Sequence, residues 1–332
     1  MISMYKTIFH PNEISSLRFL VTGGSGFIGS NLAEYLLKYG ARVRVLDNFL
    51  TSSKENIEPF LHHPHFELIE GDIRDAQVCA IACKDMDYVS HQAALGSVPR
   101  SVKDPLTTHE INSTGFLNML IAARDAKVKR FIYASSSSVY GDHPVLPKRE
   151  EETGNPLSPY AVSKKTNELY ARVFADTYNM EIIGLRYFNV FGPNQSPDGP
   201  YAAVIPLFIK CVLDNTAPSI DGDGEQTRDF TFVENAVQAN ILAMLSAKQD
   251  AVNNVYNVAV GERASINELF GMIASICKSD LKPIYRGRRA GDIRDSLADM
   301  SRTKKFLGYT PHVKMKDGLQ QTIEWFRNHQ TA

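Results

Sequence analysis

The run Phe19-Leu20-Val21-Thr22-Gly23-Gly24-Ser25-Gly26-Phe27-Ile28-Gly29 limits the available folds more than any other stretch. Leu17 to Val21 is mostly apolar and reads as a buried strand. Phe27, Ile28, Leu32, Tyr35, Leu36 and Tyr39 have helical spacing. Between them lies Gly23-x-x-Gly26-x-x-Gly29. Such glycines permit a tight turn and close approach of the backbone to a ligand. The helix start offers free N–H groups and a positive dipole end to a pyrophosphate. Strand, glycine loop and helix together form a dinucleotide-binding fingerprint, although the spacing departs from the commoner Gly-x-Gly-x-x-Gly.

A second strand, Arg42 to Leu46, closes on Asp47, 24 positions after Gly23. A carboxylate at that distance binds the adenosine ribose hydroxyls. It would repel a 2′-phosphate, which favours NAD over NADP, even with Arg42, Arg44 and Lys54 as cations nearby. Strands and helices then alternate: a strand at Phe66 to Glu70, one within Asp85 to Gln92, a helical stretch from about Pro105 to Ala126. A strand at Phe131 to Ala134, a helix at Ser158 to Tyr178 and a strand at Ile182 to Leu185 follow. This predicts an α/β, Rossmann-type doubly wound parallel sheet with helices on both faces. After Tyr187, Pro193, Pro197, Gly199 and Pro200 loosen the pattern. Residues 1–186 are therefore expected to form the NAD-binding domain, and 187–332 a smaller C-terminal substrate-binding lobe. The chain is expected to return to the first domain at about 230–260, through Asn235 to Leu245 and Val255 to Val258. Ahead of the fold, Ile2, Met4, Tyr5, Ile8 and Phe9 suggest an extra helix covering an apolar patch.

The formal net charge of -1 makes no electrostatic case for nucleic acid or an anionic membrane. No signal peptide or transmembrane span is expected, since the apolar stretch Tyr201 to Leu213 is short and interrupted by Pro206 and Lys210. Four cysteines without a Cys-x-x-Cys pair suit a reduced, cytoplasmic protein. Cys79 and Cys83 are one helical turn apart and read as a core face rather than a metal site. His62-His63-Pro64-His65 reads as a polar loop, so no metal is expected.

Tyr160-Ala161-Val162-Ser163-Lys164 carries the chemistry. At i and i+4, Tyr160 and Lys164 share a helix face. A lysine ammonium beside a phenol favours the phenolate and makes the tyrosine an acid/base near neutral pH. The run Ser135-Ser136-Ser137-Ser138 ends the preceding strand and could hydrogen-bond a reacting hydroxyl.

These motifs resemble those of the extended short-chain dehydrogenase/reductases: the glycine loop, Asp47, Asp72-Ile73, the serine run before Val139-Tyr140-Gly141, Tyr160/Lys164 and Tyr187-Phe188-Asn189. The resemblance runs from about residue 17 to the C-terminus and is greatest to UDP-hexose 4-epimerases. The stretches His91-Gln92-Ala93-Ala94-Leu95-Gly96-Ser97-Val98-Pro99-Arg100-Ser101 and Tyr140-Gly141-Asp142-His143-Pro144 are similar to those of bacterial UDP-N-acetylglucosamine and UDP-N-acetylglucosaminuronate 4-epimerases.

The resemblance implies that Tyr160 removes the proton of the sugar 4-hydroxyl as hydride passes from C4 to NAD. The 4-keto sugar then turns and takes the hydride back on its other face. Ser136 would be the proton-relay serine, and Lys164 would bind the nicotinamide ribose. Cofactor contacts would come from Gly23, Gly26, Phe27, Ile28, Gly29, Asp47, Asn48, Asp72, Ile73, Gln92, Ala93, Ala94, Asn112, Tyr160, Lys164 and Tyr187. Gly96, Ser97, Ser136, Ser137 and Ser138 would line the sugar site. Asn189, Val204, Arg228 and Arg289 would hold the UDP. Small Ser296 would leave room for a 2-acetamido group. The resemblance also implies a homodimer built on a four-helix bundle from Pro105 to Ala126 and Ser158 to Tyr178.

Nucleotide-sugar 4,6-dehydratases and UDP-glucuronate decarboxylases are the rival readings. The similar dehydratases place an acidic pair where this chain has Ser137 and Ser138, and the decarboxylases a glutamate where it has Ser138, so epimerisation is favoured. N-acetylglucosamine, its uronic acid and plain glucose all remain open as the sugar.

Overall fold

The structure, a computed structural model, describes residues 4–199, 201–287 and 294–329. In chain order the first six strands are β1 (Arg18–Thr22), β2 (Arg42–Asp47), β3 (Phe66–Glu70), β4 (Tyr88–His91), β5 (Arg130–Ser136) and β6 (Ile182–Tyr187). The strand Asn254–Val258 completes a seven-stranded sheet. Its order is Asn254–Val258, β6, β5, β4, β1, β2, β3, with every neighbouring pair parallel. Later strands run outward from β1 in both directions, so the order reverses between β1 and β4. At that point the strand ends Thr22 and His91 are in register, and Thr22 Oγ1 lies 2.8 Å from His91 Nδ1. A reversal of this kind opens a crevice beyond the strand ends.

The near-continuous apolar strands are those of a sheet covered on both faces. One core packs Tyr35, Leu36, Val43, Ile183, Val237 and Ile241; the other packs Leu20, Cys79, Cys83, Phe116, Phe131 and Phe174. Burial raises both cysteine thiols to about 12, so they are inert core groups. A third core, with Phe208, Ile209, Leu269, Ile273, Leu319 and Ile323, joins the helices Val204–Leu213, Ile266–Cys277 and Met315–His329. The helix Val233–Leu245 returns to pack beside the helix Phe27–Lys38.

One expectation is corrected. Residues 4–16 form no helix. The segment lies against the helix Phe27–Lys38 and is held by that helix's side chains: Phe9 N–H donates to the Tyr35 hydroxyl at 2.7 Å, and Lys38 Nζ donates to Tyr5 O. Tyr5 and Phe9 are buried while Ile8 is exposed; Ile2 lies outside the described residues. A segment this short gains more from such tertiary bonds than from an isolated helix.

The helical stretch expected from about Pro105 to Ala126 is present, with one irregular turn. It starts as Pro105–His109, widens into a π-helical turn at Glu110–Thr114 and continues as Gly115–Asp125. The wide turn turns Asn112 inward. Its side chain accepts from Leu95 N at 2.7 Å and donates to Leu95 O at 3.1 Å and Ser163 Oγ at 3.1 Å.

Candidate active site

A cleft of about 480 Å³ lies at the reversal point, beyond the C-terminal ends of β1, β2, β4, β5 and β6. Gly23, Gly26 and Gly29 form one wall. The loop turns at Gly23 with φ of +65°, where an added Cβ would lie 2.7 Å from the Ala93 backbone. A Cβ at Gly29 would lie 2.2 Å from Gly23 O, so this loop demands glycine at both positions. The helix Phe27–Lys38 begins at Gly26 without a side-chain cap. Its first N–H groups are therefore available at the cleft, where Phe27 and Ile28 also lie.

Asp47 ends β2 at the far side of this wall. Its carboxylate accepts from Ser25 N at 3.0 Å, Phe49 N at 2.9 Å and Ser52 Oγ at 2.9 Å. A carboxylate has about four acceptor positions, which leaves capacity for a ribose hydroxyl. The nearby cations are directed elsewhere. Arg44 pairs with Glu67 and donates to the carbonyls of Ala82 and Lys84, Lys54 pairs with Glu70, and Arg42 is at the opposite end of β2. An uncapped helix start beside a carboxylate free of cations fits NAD.

Asn48 and Asp72 stand together, Asn48 Nδ2 donating to Asp72 at 2.8 Å. The Arg74 hydrogen bond holds the Asp72 carboxyl down to about 2. Ile73, Gln92, Ala93 and Ala94 continue the lining. Tyr187, at the end of β6, donates to Gln92 Oε1 at 3.1 Å and accepts from Asn240 Nδ2 at 2.7 Å. Asn112 is not on the cleft surface; it fixes the Leu95 backbone from behind.

Tyr160, Lys164 and Ser136 share the opposite wall. Ser158 caps the helix Pro159–Tyr178 by accepting from Ala161 N at 3.1 Å, and this first turn presents Tyr160. The Lys164 ammonium lies 5.8 Å from the Tyr160 ring centroid and donates to Ala134 O at 2.8 Å. Burial pulls the Lys164 pKa down to about 8. Burial pushes the Tyr160 phenol above its ordinary value, and a hydrogen bond with Ser136 works the other way. In the protein alone burial thus leaves the Tyr160 phenol raised, rather than lowered as expected from Lys164. His91, beneath them, is pushed down to about 3 by burial and by the Lys164 charge, and is neutral.

The sugar-site expectations divide. Gly96, Ser136 and Asn189 reach the cleft, whereas Ser97, Ser137, Ser138, Val204, Arg228 and Ser296 do not line it. Ser97 has φ of +89° and caps the helix Val98–Lys103. Ser137 and Ser138 form a short turn in which Ser138 Oγ is buried without a hydrogen-bond partner. Arg228 and Ser296 are neighbours: the segment through Asp295 bridges Thr227, Ser296 N donates to Thr227 O at 3.2 Å, and Arg228 donates to Arg294 O at 3.3 Å. Arg289 lies outside the described residues.

Ser52, Gly71, Leu95, Ile111 and Gln195 also line the cleft and escaped the sequence reading. Of these, only Ser52 had a readable signal, its closeness in sequence to Asp47. Among the described residues, no group of three or more His, Cys, Asp or Glu is arranged to hold a metal ion; His65 Nδ1 meets Gly40 O at 2.9 Å. Nor is any described helix long and apolar enough to cross a membrane.

Residues 19–259 match the NAD dependent epimerase/dehydratase family. A putative UDP-glucose 4-epimerase of Methanocaldococcus jannaschii is 37% identical over 312 residues, covering 93% of this chain and 98% of its own length. Among solved structures, the UDP-N-acetylglucosamine 4-epimerase from Methanobrevibacter ruminantium, in complex with UDP-N-acetylmuramic acid, superposes with a TM-score of 0.89. It is 41% identical and covers 94% of this chain and 98% of its own. The Thermus thermophilus UDP-glucose 4-epimerase, in complex with NAD, has a TM-score of 0.84 at 33% identity, with 94% and 100% covered.

Proposed function

The chain belongs to the NAD-dependent epimerase/dehydratase family, and from that premise we propose that it inverts C4 of a UDP-sugar and admits N-acetylated hexosamines. The observation that carries the reading is Tyr160, with Ser136 and Lys164, facing the glycine loop across one cleft. When bound, NAD supplies the hydride acceptor and donor for sugar C4. Tyr160 takes the 4-hydroxyl proton and later returns it to O4. Ser136, on the same wall and acting to lower the Tyr160 pKa, passes or steadies that proton. Lys164 contributes positive charge and a donor at the ribose edge. A positive nicotinamide close to the phenol would offset the burial that keeps the Tyr160 pKa high.

The dehydratases and decarboxylases that this chain resembles carry, respectively, an acidic pair at the positions of Ser137 and Ser138 and a glutamate at that of Ser138. The neutral Ser137 and Ser138 cannot serve as carboxylate acid and base. The UDP is assigned to the 187–332 lobe, through Asn189, Val204, Arg228 and Arg289. Arginine forks suit a diphosphate. Small Ser296, beside Arg228, is assigned as the residue that would leave room for a 2-acetamido group. The free cysteines suit a reducing compartment such as the cytoplasm.

We also propose a homodimer. The helices Pro159–Tyr178 and Gly115–Asp125 expose Val162, Leu169, Val173 and Ile121, an apolar face fitted to a second copy.

The test is incubation with UDP-N-acetylglucosamine, its uronic acid and UDP-glucose, with product sugars separated by chromatography. Ser296→Tyr should lose most activity on acetylated sugars and keep it on UDP-glucose, since overpacking costs about 1–3 kcal/mol. Equal loss on both would remove Ser296 as the gate. Activity of the unmodified protein on UDP-glucose alone would overturn the N-acetyl reading.

A further inference from the structure

We infer that Tyr5 and Asn31 are a positioning pair that sets the spacing between two walls of the cofactor cleft. The inference rests on the NAD reading of that cleft. Tyr5 belongs to the N-terminal segment, outside residues 19–259 that match the family.

Tyr5 is fully buried, and its hydroxyl donates to Asn31 Oδ1 at 2.8 Å. Asn31, also buried, sits on the helix that starts at the glycine loop. With Oδ1 held, Asn31 Nδ2 donates to Phe27 O at 2.8 Å and Pro193 O at 3.0 Å. Phe27 is the first residue of that helix and lines the cleft. Pro193 opens the segment that carries Gln195, which lines the cleft from another side. Asn194 Nδ2 repeats the link by donating to Ser30 Oγ at 3.0 Å.

A flipped Asn31 amide would aim its oxygen at two carbonyl oxygens, so one orientation is favoured, and the Tyr5 hydroxyl supplies the donor that this orientation requires. Tyr5 is itself fixed by an edge-to-face contact with Tyr35, centroids 5.6 Å apart, and by Lys38 on its carbonyl. Burial holds its pKa well above the ordinary value, so the proton needed for donation stays on. Without the hydroxyl, Asn31 Oδ1 becomes a buried acceptor with no donor. Such a group carries the full desolvation penalty and drives the side chain to move. Movement of this amide releases Pro193 and so loosens the wall that carries Gln195.

The experiment loads the full chain with NAD and measures NAD release after dilution, trapping freed NAD with a coupled dehydrogenase. Tyr5→Phe, Asn31→Ala and the double variant are compared with Tyr256→Phe, whose buried hydroxyl donates to Ala251 O at 2.7 Å, away from the cleft. Tyr5→Phe should release NAD about tenfold faster, equivalent to about 1.4 kcal/mol. The double variant should be no faster than Asn31→Ala. Tyr256→Phe should lose comparable thermal stability and leave release unchanged. Release by Tyr5→Phe within about twofold of the unmodified protein overturns the inference, as does equal acceleration in Tyr256→Phe. If Asn31→Ala does not fold, the two tyrosine variants decide alone. Failure of the unmodified protein to bind NAD at all would count against the functional reading instead.

Discussion

Replacing Glu168 by glutamine tests the support beneath the catalytic wall. Glu168 lies two helical turns after Tyr160 on the same helix. Its carboxylate accepts from Arg186 Nε at 2.8 Å, Arg186 Nη2 at 2.9 Å and Ser135 Oγ at 2.7 Å. The Arg186 side chain is 2% exposed; its guanidinium lies 4.8 Å from the Tyr140 ring centroid and donates to Glu150 O at 3.0 Å. Burial works against the guanidinium charge, but Glu168 outweighs it and keeps the Arg186 pKa above its usual value. Glu168→Gln removes the carboxylate hydrogen-bonded to that buried guanidinium, which costs about 3–5 kcal/mol. At ~2.1 cal/mol/K per residue, a chain of 332 residues unfolds with an entropy of about 0.7 kcal/mol/K, so Tm should fall by about 4–7 °C. Thermal unfolding by circular dichroism reads this directly. The double variant Glu168→Leu/Arg186→Met, which removes both charges, should recover most of the loss. A Tm within about 1 °C of the parent for Glu168→Gln would refute the reasoning, because the buried charge would then have found solvent or another partner.

Tyr160→Phe should lower kcat by about 10²–10⁴-fold with the fold intact; near-normal turnover would remove Tyr160 as the acid/base. Lys164, with a folded pKa of about 8 against about 10.4 unfolded, makes the unfolded state bind more protons between those values, so its contribution to stability rises with pH there. In NAD-free protein, Lys164→Met should be more stable relative to the parent at pH 7 and lose that advantage as pH rises towards 10; denaturant titrations showing a constant difference would exclude the shifted pKa. Light scattering at micromolar concentration should give twice the chain mass, and the double charge insertion Leu169→Glu/Val173→Glu should give monomer; a monomeric parent would sink the proposed dimer.

Much of the glycine-lined wall of the cleft was readable because its physical requirements are local. A glycine loop between an apolar strand and an amphipathic helix, followed by an acid at the next strand end, places backbone N–H groups and a carboxylate with little help from distant residues. The Tyr160/Lys164 pair was readable for the same reason, since four residues on a helix set their common face. The N-terminal segment was misread because its apolar spacing suits a helix, while its backbone groups are satisfied by Tyr35 and Lys38. The helical stretch from Pro105 to Ala126 was legible but its wide turn at Asn112 was not, because that turn serves the Leu95 backbone 17 positions earlier.

From the sequence alone followed the order of strands and helices, the glycine loop between strand and helix and the pairing of tyrosine with lysine, since each depends on neighbours within a turn or a loop. The balance of charge at the catalytic wall was decided only by tertiary structure. Spacing predicts that Lys164 lowers the Tyr160 pKa, yet burial of both groups raises the phenol and weakens the ammonium. Desolvation depends on everything packed around a group, and that quantity has no representation in the spacing of two residues.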